Sequence, residues 1–401
     1  MQVTKIFVPL QSLTKGKYIG ELAEWSNAAV LKTVDLNGSG GSNPSLSAAK
    51  GVNQVVTRFA PFFTPKIKVG CIFFEFLRKS LYQAHMYIVL DTNAYRNFIL
   101  GKTNEEIDET IHKIVRRQEE LGIISLMSTT VARELICHLF DNGVFDETGD
   151  CTKAIRAMYG HCGDVKTYNL VPLPETQLSM ELFGTHNTKA EEQQKAVTEI
   201  VFNVFINPTI ENLEPYLSNI ERIKSHNNEA ECELEGMLTK LKNIKLPNDM
   251  TFSVYAASEN FKKETATAYI CALAIDLDII PSKDIRVDGN KTTVPSIIIE
   301  KAEEYLKRYP APIEMRSNLI SKLDMSNFNP SKKERLNQIW DEQILHLVNR
   351  QICGEPIILV TSDKGMISAV DKAYPASVST ISEPFGKHII SLDEYLSYLN
   401  V

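Results

Sequence analysis

The sequence predicts an α/β fold whose mainly parallel sheet, flanked by helices, is interrupted by a mostly helical insertion, and three observations carry this. Met86-Tyr87-Ile88-Val89-Leu90 and Pro356-Ile357-Ile358-Leu359-Val360-Thr361 are continuous apolar runs rich in β-branched residues, the pattern of strands buried on both faces. Each run is followed at once by an acid and a helical pattern, Asp91 after the first and Asp363 after the second. Between them, from about 145 to 330, strand–helix alternation gives way to helical periods alone. Strands alternating with helices make parallel βαβ units.

Taken in order, 86–90 is a strand and 93–100 a helix. A second helix over 105–121 has Thr103 as its cap and Ile107, Ile111, Ile114 and Val115 on one stripe. A strand at 123–127 leads into a helix from Thr129 that carries Val131, Leu135, Ile136 and Leu139. In the middle of the chain only 168–173 reads as extended, while 188–206, 209–226, 229–243, 259–278 and 293–308 read as helices. Thr265 to Ile275 is apolar nearly all round, as in a buried helix. Alternation resumes with a helix over 332–350, the strand 356–361, a short helix after Asp363, strand candidates at 378–381 and 389–390, and an amphipathic helix over 392–399.

The chain has 401 residues, 43% apolar and 23% charged, the composition of an ordinary globular protein of two or three domain-sized units. No run approaches the 18 apolar residues of a membrane span, and the N-terminus lacks the features of a secretory signal, so a cytoplasmic location without membrane contact is expected. Seven scattered cysteines without ligand spacing support neither a disulfide framework nor a zinc site. Residues 1–85 hold ten Lys/Arg against four Asp/Glu, leaving a formal charge of −13 on the rest. So acidic a body excludes a nucleic-acid coat protein, which neutralises phosphates broadly, but leaves room for a local site with metal ions.

Residues 1–85 form a separate problem. The stretch GSGGSNPSLSAA from Gly38 to Ala49 has no hydrophobic period. Gly41-Ser42-Asn43-Pro44 is encodable as GGT-TCG-AAY-CCN, which resembles the T arm of a transfer-RNA gene read in one frame, and AEWSNAAVLKTV resembles the other half of such a gene. The expectation is that 1–85 is a translated upstream tRNA-gene region, non-native or disordered, and that the native start is Met86. A genuine flexible leader is the alternative.

Four acids stand where strands end or within helices of the α/β portion: Asp91, Glu134, Asp341 and Asp363. In open α/β sheets the ligand crevice lies at the carboxyl ends of the strands. Clustered carboxylates repel unless cations compensate, and Mg²⁺ or Mn²⁺, which take oxygen ligands, suit such a cluster. Their setting carries a family resemblance. IVLDTNAY around Asp91, TVARE ending at Glu134, IWDEQIL holding Asp341 and LVTSDKGM around Asp363 resemble the ordered acidic motifs of PIN-domain metal-dependent ribonucleases. The resemblance covers 86–142 and 332–400, dividing the body into a first PIN-like part (86–144), a helical insertion (145–330) and a second PIN-like part (331–401).

The resemblance implies an Mg²⁺- or Mn²⁺-dependent endoribonuclease with Asp91, Glu134, Asp341 and Asp363 as metal ligands and catalytic acids, and RNA as substrate. Thr361 matches the hydroxyl position of the last motif. Thr92, Asn93, Thr361 and Lys364 are supporting or substrate-contact candidates, and Arg133 is a further phosphate contact to weigh. The departure is spacing: 207 positions separate Glu134 from Asp341, so Glu342, Asp276 and Asp278 compete for the third place. Asp341 is preferred because Ile344, Leu345 and Val348 follow it at helical intervals.

Each residue also has a plain structural reading. Asp91 and Asp363 suit helix N-caps, and Glu134 suits a solvated residue paired with Arg133 or Arg117. The alternative functions are a catalytically inactive PIN-like module that binds RNA or protein, and a haloacid-dehalogenase-like phosphatase. The latter family needs a second Asp where Asn93 stands. Protein inhibitor, oligomeric state, RNA identity and any place in a toxin or defence system are not readable from the sequence.

Overall fold

The computed structural model describes residues 86–140, 144–163, 169–244, 246, 250–288, 291–348, 350–352, 355–375, 385 and 387–401. The expectations for 1–85 and for a strand at 378–381 lie outside the described residues, as do Cys71 and Cys353.

β1 (Met86–Leu90) is buried along its whole length, and the following α1 (Thr92–Ile99) buries Ala94, Tyr95, Phe98 and Ile99. α2 (Asn104–Leu121) opens on a complete capping box between Thr103 and Glu106. It stops at Gly122, whose φ of 67° is a left-handed conformation that glycine adopts without penalty. The next segment is not one strand over 123–127 but two. β2 (Ile123–Ser125) pairs in parallel with β1; at Leu126 the chain changes partner, and β3 (Met127–Ser128) pairs in parallel with β4 (Leu170–Val171). The amide of Leu126 donates to the Ile88 carbonyl at 2.8 Å and that of Met127 to the Asn169 carbonyl at 2.9 Å, which places the switch at one peptide. α3 (Thr129–Cys137) follows and is buried at every residue.

The mainly helical stretch contains α4 (Asp150–Cys162), α5 (Pro174–Leu178), α6 (Thr188–Ile206), α7 (Leu217–Lys242), α8 (Glu259–Asp276), α9 (Ser296–Arg308) and α10 (Pro310–Ser321). Two of its features correct the sequence reading. The helices expected at 209–226 and 229–243 join from Leu217 onward into the continuous α7; Asn227, in the expected gap, is buried and donates to Glu231 Oε1 at 2.9 Å from within the helix. α4 and α10 were not expected; Pro310 stands at the first position of α10, where a missing N–H costs nothing. A short hairpin, β5 (Arg286–Asp288) with β6 (Lys291–Thr293), precedes α9. Tyr269, Ile270 and Leu273 of α8 pack with Ile298, Ala302 and Tyr305 of α9, and Leu234 and Leu238 of α7 with Leu319 and Ile320 of α10.

The helix expected over 332–350 is broken. Lys333–Leu336 forms one turn, α11 (Gln338–Ile344) follows Asn337, and Leu345–Leu347 tightens to 3₁₀. His346 Nδ1 lies 3.0 Å from the Glu342 carbonyl and 3.2 Å from that of Gln343, so a side chain takes acceptors the helix would have used. β7 (Gln351–Ile352) then turns antiparallel onto the start of β8 (Glu355–Val360). β8 pairs in parallel with β1 in the register Ile88↔Ile358 and Leu90↔Val360, so the two strands expected to share a sheet are its central neighbours. α12 (Lys364–Ala373), β9 (Ile389–Ile390) parallel to β8, and α13 (Leu392–Leu399) close the fold. It is α/β, with a mainly parallel sheet flanked by helices. Among the described residues no helix is long and apolar enough to cross a membrane, and no disulfide joins the described cysteines.

Candidate active site

Because β1 and β8 run in parallel and in register, their carboxyl ends deliver Asp91 and Thr361 side by side; the Asp91 amide donates to the Val360 carbonyl at 3.0 Å. Asp91 caps α1: its Oδ1 accepts the Ala94 amide at 2.6 Å, and its Oδ2 accepts the Thr361 hydroxyl. The same Thr361 oxygen accepts the Asp363 amide at 3.0 Å. Asp363 in turn caps α12, with Oδ1 accepting the Met366 amide at 2.8 Å. Both aspartates therefore fulfil the N-cap reading, while the threonine between them ties the two strand ends together. Gly365 makes room for this turn, since a Cβ there would lie 3.0 Å from Asp363 Oδ1 and 3.3 Å from Met315 Cε.

Glu134 enters from α3 and Asp341 from α11, two helices that pack on each other. Glu134 is buried, not solvated, and its Oε2 accepts the hydroxyl of Thr92. Arg117, offered as its surface partner, pairs with Glu120 and donates to the Leu399 carbonyl instead. Asp341 is partly exposed and takes no side-chain hydrogen bond from a described residue.

The four carboxylates share one field. Burial pushes the Asp91 carboxyl up to about 7, against the Thr361 and Ala94 hydrogen bonds that lower it, and the charges of Glu134 and Asp363 raise it further. Asp341 is pushed well above the carboxylate range by burial and then by Asp363, Glu134, Asp91 and Glu342. Burial also raises Glu134, which the Thr92 hydroxyl and the positive charge of Arg96 lower. A set of hard oxygen donors that raise one another's proton affinity is the donor chemistry a divalent cation offsets. Yet among the described residues no group of three or more His, Cys, Asp or Glu is drawn close enough to hold one ion. Thr92 occupies Glu134 Oε2, and Thr361 occupies Asp91 Oδ2.

The chain matches no protein-family model, no curated protein and no solved structure.

The competitors for the third acid are engaged elsewhere. Glu342 forms a buried two-point pair with Arg316, Nε to Oε1 at 2.6 Å and Nη2 to Oε2. Asp276 receives Asn187 Nδ2 at 3.2 Å and Lys189 Nζ at 3.3 Å, and Asp278 sits in a left-handed turn at φ 54° after α8. Of the supporting candidates, Thr92 and Thr361 are buried against the acids, whereas Asn93 and Lys364 are exposed. Arg133 turns away: its guanidinium lies 5.5 Å from the Trp340 ring centre, and its charge lowers buried Glu175.

Two residues at this end of the fold escaped the sequence reading. Glu175, in α5 just after β4, is buried, pushed up to about 7 by burial, and leaves Oε2 without a hydrogen-bond partner among the described residues. Its signal was an acid just after the segment 168–173, which reads as extended and contains the strand Leu170–Val171. Arg96 stands four positions after Thr92, one helical turn along α1, the spacing that puts both on one face.

Proposed function

We propose that this chain is a PIN-like, Mg²⁺- or Mn²⁺-dependent endoribonuclease that hydrolyses RNA phosphodiester bonds, with Asp91, Glu134, Asp341 and Asp363 as its acids. The observation that carries this reading is Asp341. Placed 207 positions from Glu134 in sequence, it nevertheless feels the charges of Asp363, Glu134 and Asp91 together. In this reading the helical stretch 145–330 is an insertion into a PIN-like sheet, and the protein works in the cytoplasm.

The bound cation would supply activation of the attacking water and charge for the leaving oxygen. The chain supplies the rest. Asp91 and Asp363 are held by backbone amides on one oxygen each, so their positions are fixed by α1 and α12 rather than by flexible loops. Thr361 locks the two strand ends at the spacing the acids need, and Thr92 holds Glu134 in place until ligand displaces it. Asp341 takes no such hydroxyl from a described residue, which leaves its oxygens available to a cation.

A second reading, a PIN-like module that binds RNA or protein without cutting, starts from the separation of the acids noted above. One experiment divides the two: incubation of the purified protein with mixed RNA and Mn²⁺, with and without chelator, beside Asp91→Asn. Cleavage that chelator and the variant both abolish supports the nuclease. Equal cleavage by the variant overturns the mechanism, and RNA binding without cleavage by the wild type selects the binding module.

A further inference from the structure

Among the described residues, the helix that starts at the Asp91 cap and carries Thr92 has one cationic side chain, Arg96. Lys364 is exposed, and Arg133 gives its charge to Trp340 and Glu175. Arg96 stands one helical turn after Thr92, whose hydroxyl meets Glu134 Oε2, and its positive charge lowers the Glu134 carboxyl. Arg96 is half-buried on α1, a helix whose N-terminus is fixed by the Asp91 cap and whose apolar face is packed. It makes no hydrogen bond or ion pair with any described residue. A guanidinium held on a rigid helix, near a carboxylate yet not paired with it, keeps its planar fork of donors available.

Resting on the nuclease reading, we infer that Arg96 is the substrate-phosphate ligand of this site, binding a non-bridging oxygen pair of an RNA phosphodiester beside the acids. An arginine serving only as counter-ion to Glu134 would close to ion-pair distance; here Arg96 forms no ion pair with it, and Thr92 takes one of its two oxygens, Oε2. Phosphate matches the fork bidentately, and a fixed cation is what lets a polyanion approach a body that carries −13 outside its first 85 residues.

The test is steady-state cleavage of a mixed-sequence single-stranded RNA with Mn²⁺ by the full chain, comparing wild type, Arg96→Gln and Arg96→Lys, with thermal melting of each. Losing a charged two-point contact raises KM about tenfold and leaves kcat within about threefold. Removing one phosphate contact also flattens the dependence of log KM on log salt by about 0.7, and Arg96→Lys recovers that slope because it keeps the charge. The Mn²⁺ concentration for half-maximal rate stays unchanged. An unchanged KM in a folded Arg96→Gln overturns the assignment. So does a shifted Mn²⁺ requirement with an unchanged salt slope, which identifies Arg96 as a counter-ion of Glu134. Failure of the nuclease reading itself appears in the wild-type arm alone, as RNA left intact.

Discussion

Thr361 donates its hydroxyl to Asp91 across the junction of two strands that lie 270 positions apart in sequence, and accepts the amide of Asp363 on the same oxygen. One buried hydroxyl thus sets the relative position of two of the four acids. Thr361→Val, which keeps the shape and removes donor and acceptor together, should cost about 1–3 kcal/mol of stability in urea unfolding. It should also weaken Mn²⁺ binding in calorimetry by about tenfold or more, as loss of a supporting hydrogen bond to a ligand does. Thr361→Ser should retain both.

Asp341 and Glu342 are adjacent but opposite in role. Glu342→Gln leaves the buried Arg316 guanidinium without its counter-charge, so it should destabilise the fold by about 3–5 kcal/mol, read as a lower urea midpoint. Asp341→Asn removes one of several repelling charges, so it should fold at least as well as wild type and lose Mn²⁺ binding. Reversal of that pattern would give the third place among the acids to Glu342.

Acid stability should depend on His161. Its ring lies 2.8 Å from Ser125 Oγ and 3.0 Å from Tyr395 Oη on Nε2, and 3.0 Å from Tyr95 Oη on Nδ1; burial lowers its pKa from 6.5 to about 3. Because the folded value lies below the unfolded one, the unfolded chain takes the proton first. The stabilisation from the neutral ring is full above pH 6.5 and is lost as pH falls towards 3, on the order of 3–5 kcal/mol across that window. Urea midpoints at several pH values should show this slope in wild type and a shallower one in His161→Gln.

Glu175 should act with the opposite sign. Its folded pKa of about 7 lies above the model-peptide value of 4.5, so the protonated side chain favours the folded state below 4.5 and that advantage is lost as pH rises to 7. Glu175→Gln mimics the protonated form. It should therefore raise stability over wild type at pH 8 by about 1–3 kcal/mol and match it near pH 4, both in urea unfolding.

The strands β1 and β8, their parallel pairing, and the acids at their ends were legible because a doubly buried strand must be apolar throughout and a helix after it needs a capping acid. The packing of α11, which carries Asp341, on α3, which carries Glu134, was not legible. Helical periodicity places Asp341 on a face of α11 but says nothing about which helix that face meets across 207 positions. The break at Leu126 was hidden because a strand that changes partner keeps the same local pattern on either side. The continuity of α7 through 227–228 was not legible, since Asn227 favours local side-chain hydrogen bonds outside helices and here makes its bond to Glu231 within one. Arg96 was overlooked because a half-exposed charge on a helix looks alike whether it meets solvent or a neighbouring acid.

The pairing of β1 with β8 has a consequence in time. Ribosomes add roughly 5–20 residues per second, so the 270 positions between Asp91 and Thr361 correspond to about 15–55 s of synthesis. During that interval the first strand has been made and its central neighbour has not. Contacts so distant in sequence also make the sheet slow to close once the chain is complete. The hydroxyl link between Asp91 and Thr361 is therefore absent from the nascent chain and forms only after the last strands leave the ribosome.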